Sequence, residues 1–294
     1  MKTSKELLNN FVRERLGGQV DNLATYDMEK LKVDKTYGCP GRRFEYDNSN
    51  LVRALFVVLW HGVLPELNSD TIGDGKAFRG DTIHTSGALL GHWDDKTGLY
   101  DGLNKRYEVE PEEMREYIEN WPVSRIGNML LLPSQSLTTV SAKGKEGHVT
   151  INTFRGFFGW HDYFDRFLVE LKEALDNGIP KTSTGEVSLP NLLSLDGNRN
   201  YFKHFDSSFE TWLDSMMLND CLDKKTGKVK RTFIGLDFKD YPYHSRYRSQ
   251  KSIDNDRKEY KSRVREFLVT TGTLIHWRSK KMVARLKELH IGEK

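Results

Sequence analysis

The spacing of apolar residues divides the chain into helical stripes joined by polar, glycine-rich stretches. "SKELLNNFVRERL" places Leu7, Leu8, Phe11, Val12 and Leu16 at helical spacing, with Ser4 as candidate cap and Gly17-Gly18 as its end. "NLVRALFVVLWHGVLPEL" is almost wholly apolar, which predicts a buried helix stopped near Pro65. "EPEEMREYIENW" predicts a charged helix, since Pro111 suits a first turn and acids favour the positive end of the helix dipole. "GWHDYFDRFLVELKEALDNG" carries a stripe of Tyr163, Phe167, Leu168, Leu171 and Leu175, with Gly178 as C-cap. "NYFKHFDSSFETWLDSMMLNDCL" reads as helical around its aromatics. The last helix runs from about Ser252 to Leu289, with Gly272 as a candidate break.

Strand signals are fewer. "SRIGNMLLLPSQ" predicts a short buried strand or extended run closed by Pro133, and Val149 to Asn152 a second extended piece. "YGCPGRRFEYDNSN", "IPKTSTGEVSLPN" and "DKKTGKVK" read as loops or turns. No internal repeat, low-complexity linker or hairpin turn pair is evident. The expected fold class is therefore mainly α with a minor β component: a single helical domain over residues 1–294 with a few short strands.

Composition narrows the setting. A chain of 294 residues can bury a sizeable core, and 11% aromatic residues argue against disorder. No apolar run approaches the roughly 20 residues needed to cross a bilayer, and "MKTSKELLNNFVRERL" lacks a signal peptide's apolar core. Cys39 and Cys221 lie far apart and outside any metal-ligand spacing, as expected of two thiols in a reducing compartment. These features predict a cytoplasmic protein with no membrane partner. Net charge is +3, but it is unevenly placed. From Lys228 onward the chain has 18 Lys/Arg against 8 Asp/Glu, whereas residues 1–227 have 27 against 34. A basic C-terminal segment, about 252–290 in its helical part, can attract a phosphate backbone or bind the acidic body itself. Its candidate nucleic-acid contacts are Lys258, Lys261 and Arg265, which share helical spacing.

The common catalytic motifs are absent: no Walker loop, dinucleotide fingerprint, zinc-protease helix, paired CxxC or nucleophile elbow occurs. Four polar clusters remain. In "KAFRGDTIHTSGALLG", Arg79 can bind phosphate and Asp81 or His84 can move a proton. The plainer reading of that stretch is a helix-entry turn capped by Asp81 or Thr82. In "SRIGNMLLLP", Asn128 precedes four apolar residues and is drawn inward, to brace a loop or to touch a ligand. "INTFRG" places Asn152 and Arg155 around an apolar pair, and "WHDYFDRF" opens a helix with His161, Asp162, Asp165 and Arg166.

The ordered series "FRGDTIHT", "RIGNMLLLP", "TINTFRG" and "WHDYFDRFLVEL" resembles an uncharacterised family of bacterial proteins, a domain of unknown function, over roughly residues 50–290. That resemblance implies that Arg79, Gly80, Asp81, Thr82, Gly127, Asn128, Asn152, Arg155 and Gly156 meet in space. His84 stands where the family pattern has Asn. "IGNMLLLP" is also similar to one strand of the His-Asn-His nuclease domains of modification-dependent restriction enzymes, although the upstream His-x-x-Pro element that supplies the base is missing. Three functions follow as expectations. The first is a nucleic-acid-associated protein of restriction or phage-defence type, with DNA or RNA as partner. The second is a small-molecule or nucleotide-acting enzyme, with Asp81 and His84 catalytic and Arg79, Thr82, Asn128, Asn152 and Arg155 lining its pocket. The third is a non-catalytic interaction protein in which these residues are internal braces. The residues point to no particular cofactor and to no metal.

Overall fold

The computed structural model describes residues 3–38, 46–84, 93–94, 99–100, 111–140, 144–157, 164–182, 184, 186–230 and 250–293. At 93–94, 99–100, 111–113, 155–157 and 250–264 it describes the backbone alone. Helices dominate: α1 (Ser4–Arg15), α2 (Asn50–Trp60), α3 (Pro111–Glu119), α4 (Ile151–Phe157), α5 (Phe164–Asp176), α6 (Leu189–Ser194), α7 (Asp196–Lys203), α8 (Phe209–Ser215) and α9 (Gln250–Glu288). The strands pair two by two and antiparallel: β1 (Phe78–Thr82) with β4 (Met129–Pro133), β2 (Trp93–Asp94) with β3 (Leu99–Tyr100), and β5 (Leu137–Val140) with β6 (Glu146–Val149). The fold is mainly α with a minor β component. No described helix is long and apolar enough to cross a membrane.

Local chemistry sets the helix ends. α1 is capped one residue earlier than Ser4. The Thr3 hydroxyl accepts the Glu6 N–H at 3.2 Å, and the Glu6 carboxylate accepts the Thr3 N–H at 2.7 Å, a reciprocal pair that satisfies two otherwise unbonded donors. Gly17 and Gly18, at φ 63° and 79°, turn the chain away. α2 begins at Ser49 and ends at Trp60, before Pro65, because the N–H groups of Val63 and Leu64 fold back onto the Trp60 carbonyl. The aromatic stretch after residue 196 is two helices, not one. Asp206 and Ser207 take left-handed φ values of 55° and 53°, and the Ser208 hydroxyl then caps α8. Tyr201, Phe202, Phe205, Phe209 and Trp212 are all buried nonetheless.

Four expectations are corrected. "FRGDT" is a strand rather than a turn. Asn152 lies on α4 rather than on an extended segment, because the strand before it ends at Val149. β5 and β6 form an antiparallel pair where no hairpin was expected. α9 is not broken at Gly272: a Cβ there would stand 3.2 Å from Pro122 Cδ, so the glycine serves close packing rather than a kink. Positions 85–92, 158–163 and 231–249, including "SGALLG", Gly156's successor segment, His161, Asp162 and Tyr163, lie outside the described residues except Gly156 itself, whose backbone is helical.

α9 is the longest described helix, 39 residues or about 58 Å at the usual rise. It buries Met282, Val283 and Leu286 in a connected core that runs from Leu8 to Ile291, and Phe267, Leu268 and Ile275 are buried further back along the helix. Two of its described lysines bind carboxylates of the body. Lys281 pairs with Asp220 and Lys287 with Asp21, each at 2.7 Å, and Arg278 is wholly buried. The end of α9 is tied to α1, where the Gly292 N–H donates to Asn9 Oδ1 at 2.8 Å and Lys5 Nζ to the Leu289 carbonyl at 2.9 Å.

Candidate functional site

The β1–β4 ladder brings the polar clusters together. Asp81 stands opposite Leu130 and Thr82 opposite Met129, and the next residue, Ile83, donates its N–H to the Asn128 carbonyl at 2.8 Å. The apolar run "MLLLP" draws β4 fully inside, and β1 follows as its hydrogen-bonding partner. Gly80 is required here, since a Cβ would stand 2.0 Å from the Asp47 carbonyl oxygen and 3.2 Å from a ring carbon of Phe56. The Asn48 carboxamide fills the same contact, pairing with both the N–H and the carbonyl of Gly80 at 3.3 and 3.4 Å.

Asp81 is 5% exposed. Its Oδ1 accepts the Thr82 N–H at 2.7 Å. In the orientation its neighbours demand, the Asn152 carboxamide donates to Asp81 Oδ2 at 3.1 Å and accepts from Arg79 Nε at 3.3 Å. Asn152 therefore links Arg79 to Asp81 from α4, while the Arg79 guanidinium pairs at 3.0 Å with the exposed carboxylate of Asp74. Burial, with the nearby carboxylates of Asp47, Glu29 and Asp81, pushes the Tyr46 phenol upward; nothing in the sequence singled out this neighbour of the cluster.

Asn128 is fully buried and bonded on every side. Its Nδ2 donates to the carbonyls of His84 at 2.8 Å and Val123 at 2.6 Å, and its Oδ1 accepts the His84 N–H at 2.9 Å. Two donors and an acceptor are thus engaged in pinning the exit of β1 to the loop before β4. The His84 ring, also fully buried, packs edge-on against Phe267 at 5.2 Å and Phe164 at 6.2 Å, with Trp121 at 6.4 Å. Arg155 lies one helical turn beyond Asn152, and Lys258 and Lys261 lie on α9; their side chains are outside the described residues. Arg265 is exposed, with its guanidinium 4.9 Å from the centre of the Tyr117 ring. Among the described residues, no group of three His, Cys, Asp or Glu side chains is placed to hold a metal ion.

The Asp81 carboxylate anchors two segments, so Asp81→Asn is expected to lower stability by about 1–3 kcal/mol, as loss of buried charge-assisted hydrogen bonds does. A urea titration measures this. A midpoint equal to that of the unaltered protein would remove Asp81 from the brace.

A second concave surface escaped the sequence reading. A cleft of about 410 Å³ lies between the start of α5, the 3-10 turn Asn219–Cys221, the turn after it and α9. Phe164, Leu168, Cys221, Val269, Leu274 and Trp277 supply its apolar wall, and Lys224 and Lys230 stand at its rim. Trp277 is 52% exposed, and Lys280 Nζ sits 4.9 Å from the centre of its ring system. Of the carboxylates nearby, Asp220 is paired with Lys281, and Asp165 is buried with Oδ1 accepting the Arg166 N–H at 2.8 Å. Asp223 holds the turn by accepting the N–H groups of Lys225 and Thr226 and the Thr226 hydroxyl, bonds that draw its carboxyl below the ordinary range. Lys224, Lys225, Lys228 and Lys230 are all exposed, and the charge of Lys230 also acts on the Asp223 carboxylate. Burial raises the Cys221 thiol to about 12, so it is protonated at neutral pH. The available signal was four lysines in "DKKTGKVK", but no motif links that turn to a tryptophan some fifty residues later.

Fold and surface together define a mainly helical protein whose buried polar ladder is tied by Asn128 and Asn152, with a lysine-rimmed aromatic cleft on its last helix. No protein-family model matches the chain, and neither the curated proteins nor the solved structures contain a significant match.

Proposed function

We propose that the protein is nucleic-acid-associated and that it contacts the phosphate backbone through the lysine turn 223–230 and the adjoining exposed face of α9. The observation that carries this reading is a turn with four exposed lysines against the single carboxylate of Asp223, beside a half-exposed tryptophan. On α9, Lys281 and Lys287 are neutralised by carboxylates of the body, whereas the turn carries a local excess of positive charge open to a partner. In this reading Arg79, Asp81, Thr82, His84, Asn128 and Asn152 hold the fold rather than a substrate. The saturated amide of Asn128 and the aromatic packing of His84 support that role over a pocket for a small-molecule reaction. The similarity of "IGNMLLLP" to one strand of the nuclease domains of modification-dependent restriction enzymes suggests restriction or phage defence as the setting.

The test is binding of mixed-sequence DNA and RNA as a function of salt. Affinity is expected to fall steeply with salt, and the double reversal Lys224→Glu/Lys228→Glu should flatten the logarithmic slope by about 1.4–1.8, the share of two phosphate contacts. Lys258→Glu/Lys261→Glu asks whether the surface continues along α9; an unchanged slope would confine it to the turn. Absence of any binding at low salt would refute the reading.

A further inference from the structure

We infer that the cleft beside Trp277 seats an unpaired base, so that the nucleic acid this protein takes is single-stranded. The inference rests on the nucleic-acid reading above and adds the strandedness of the partner. Trp277 is the one aromatic side chain among the large hydrophobic residues left exposed in the described set. An indole half in water beside an apolar cleft offers a flat face, and a base offers another. Lys280, three residues on, covers the ring at 4.9 Å and restrains its orientation. A base would stack on the face opposite Lys280, and Val269 and Leu274 would meet its edge from the same helix. Lys224 and Lys230 at the rim would then take the phosphates on either side of the stacked nucleotide.

Size and geometry favour a single strand. At about 410 Å³ the cleft is at the small end of the range of roughly 300–1,000 Å³ usual for small-ligand pockets. That space admits a base and its sugar but not the width of a duplex. In a duplex, moreover, the base faces are already stacked on one another and only edges are presented. An acidic peptide could use the lysines, but a carboxylate has no face to lay on Trp277.

The experiment uses the full chain with three labelled probes: oligothymidylate, a hairpin duplex of equal charge, and inorganic polyphosphate, which carries charge without bases. Binding is followed by anisotropy and by tryptophan fluorescence. Oligothymidylate is expected to bind at least about ten-fold tighter than the duplex and to quench fluorescence, with Trp277→Ala weakening it by about 5- to 150-fold, as loss of one stacked base does. Trp277→Phe should retain most of the affinity while losing the quenching. Polyphosphate should bind the Trp277→Ala protein and the unaltered protein alike. Trp277 is exposed, so a thermal melt of Trp277→Ala should match the unaltered protein and exclude misfolding. Equal affinity for duplex and single strand, with no effect of Trp277→Ala, would overturn the stacking site and leave the phosphate-binding surface standing. Binding of polyphosphate but of neither oligonucleotide would overturn both.

Discussion

Replacing Arg278 with alanine is expected to cost about 3–5 kcal/mol of folding stability, because three buried carbonyls lose their donor. Arg278 is fully buried in the middle of α9. Its Nε donates to the Met216 carbonyl at 2.9 Å, and one terminal nitrogen donates to the carbonyls of Gly127, at 2.8 Å, and Met129. No carboxylate among the described residues pairs with it, so its charge is balanced by backbone dipoles. Burial lowers its pKa to about 10, which still leaves the guanidinium charged at neutral pH. Removing it would strand three buried carbonyls and open a cavity, and each stranded group alone costs about 1–3 kcal/mol. Arg278→Lys should recover only part of the loss, because an ammonium cannot reach toward Met216 and Gly127 at once as a planar fork does. Chemical denaturation of the three proteins measures the order. Equal midpoints would show that these carbonyls find other partners.

Gly127→Ala should be at least as damaging, by about 3 kcal/mol or more. The added Cβ would stand 2.0 Å from the Ile275 carbonyl oxygen and 2.6 Å from the Ser279 nitrogen, both backbone atoms of α9. Neither can rotate away, so the helix itself would have to retreat, and overpacking of that kind costs about 1–3 kcal/mol before any bond is lost. Retreat would also break the hydrogen bond from the Gly127 N–H to Ser279 Oγ, 2.9 Å, and loosen the grip of Arg278 on the same turn. Gly17→Ala is the control. An alanine there would be strained by φ 63° but would have nothing within 4 Å of its Cβ, so about 1 kcal/mol is expected. A Gly127→Ala protein that melts with the Gly17→Ala protein would mean that α9 does not lie against this turn.

What could be read from the sequence was what depends on local pattern. The stripe Phe167, Leu168, Leu171 and Leu175 buries one face of α5, and "MLLLP" forms a strand closed by Pro133, because both signals sit within a few residues. The adjacency of Asp81, Asn128 and Asn152 was legible as a problem of satisfaction, each polar residue being drawn inward by apolar neighbours. How that problem is solved was not legible. Asn152 stands between Arg79 and Asp81, and Arg79 takes Asp74. "FRGDT" lacks an alternating pattern because β1 is buried along nearly its whole length, so only its partner β4 makes it a strand. Nothing in the local sequence marks Arg278 as buried. Its burial is decided by Gly127, Met129 and Met216, from 62 to 151 positions away in the chain.

The lacing of α9 to the rest of the molecule has a consequence for how the chain acquires its structure. The helix bonds to Gly127, Met129 and Met216, lies against the segment around residues 20–25, and ties its end to Lys5 and Asn9. These contacts join positions as many as 284 residues apart. Closing such long loops delays folding, since the entropy of closure is lost before the contacts repay it. During synthesis the residues up to 230 would leave the ribosome with the seat of α9 still open and its apolar side exposed. Docking of α9 thus comes after the segments that form its seat, and the interval before it is when the nascent chain is prone to aggregate or to need a chaperone.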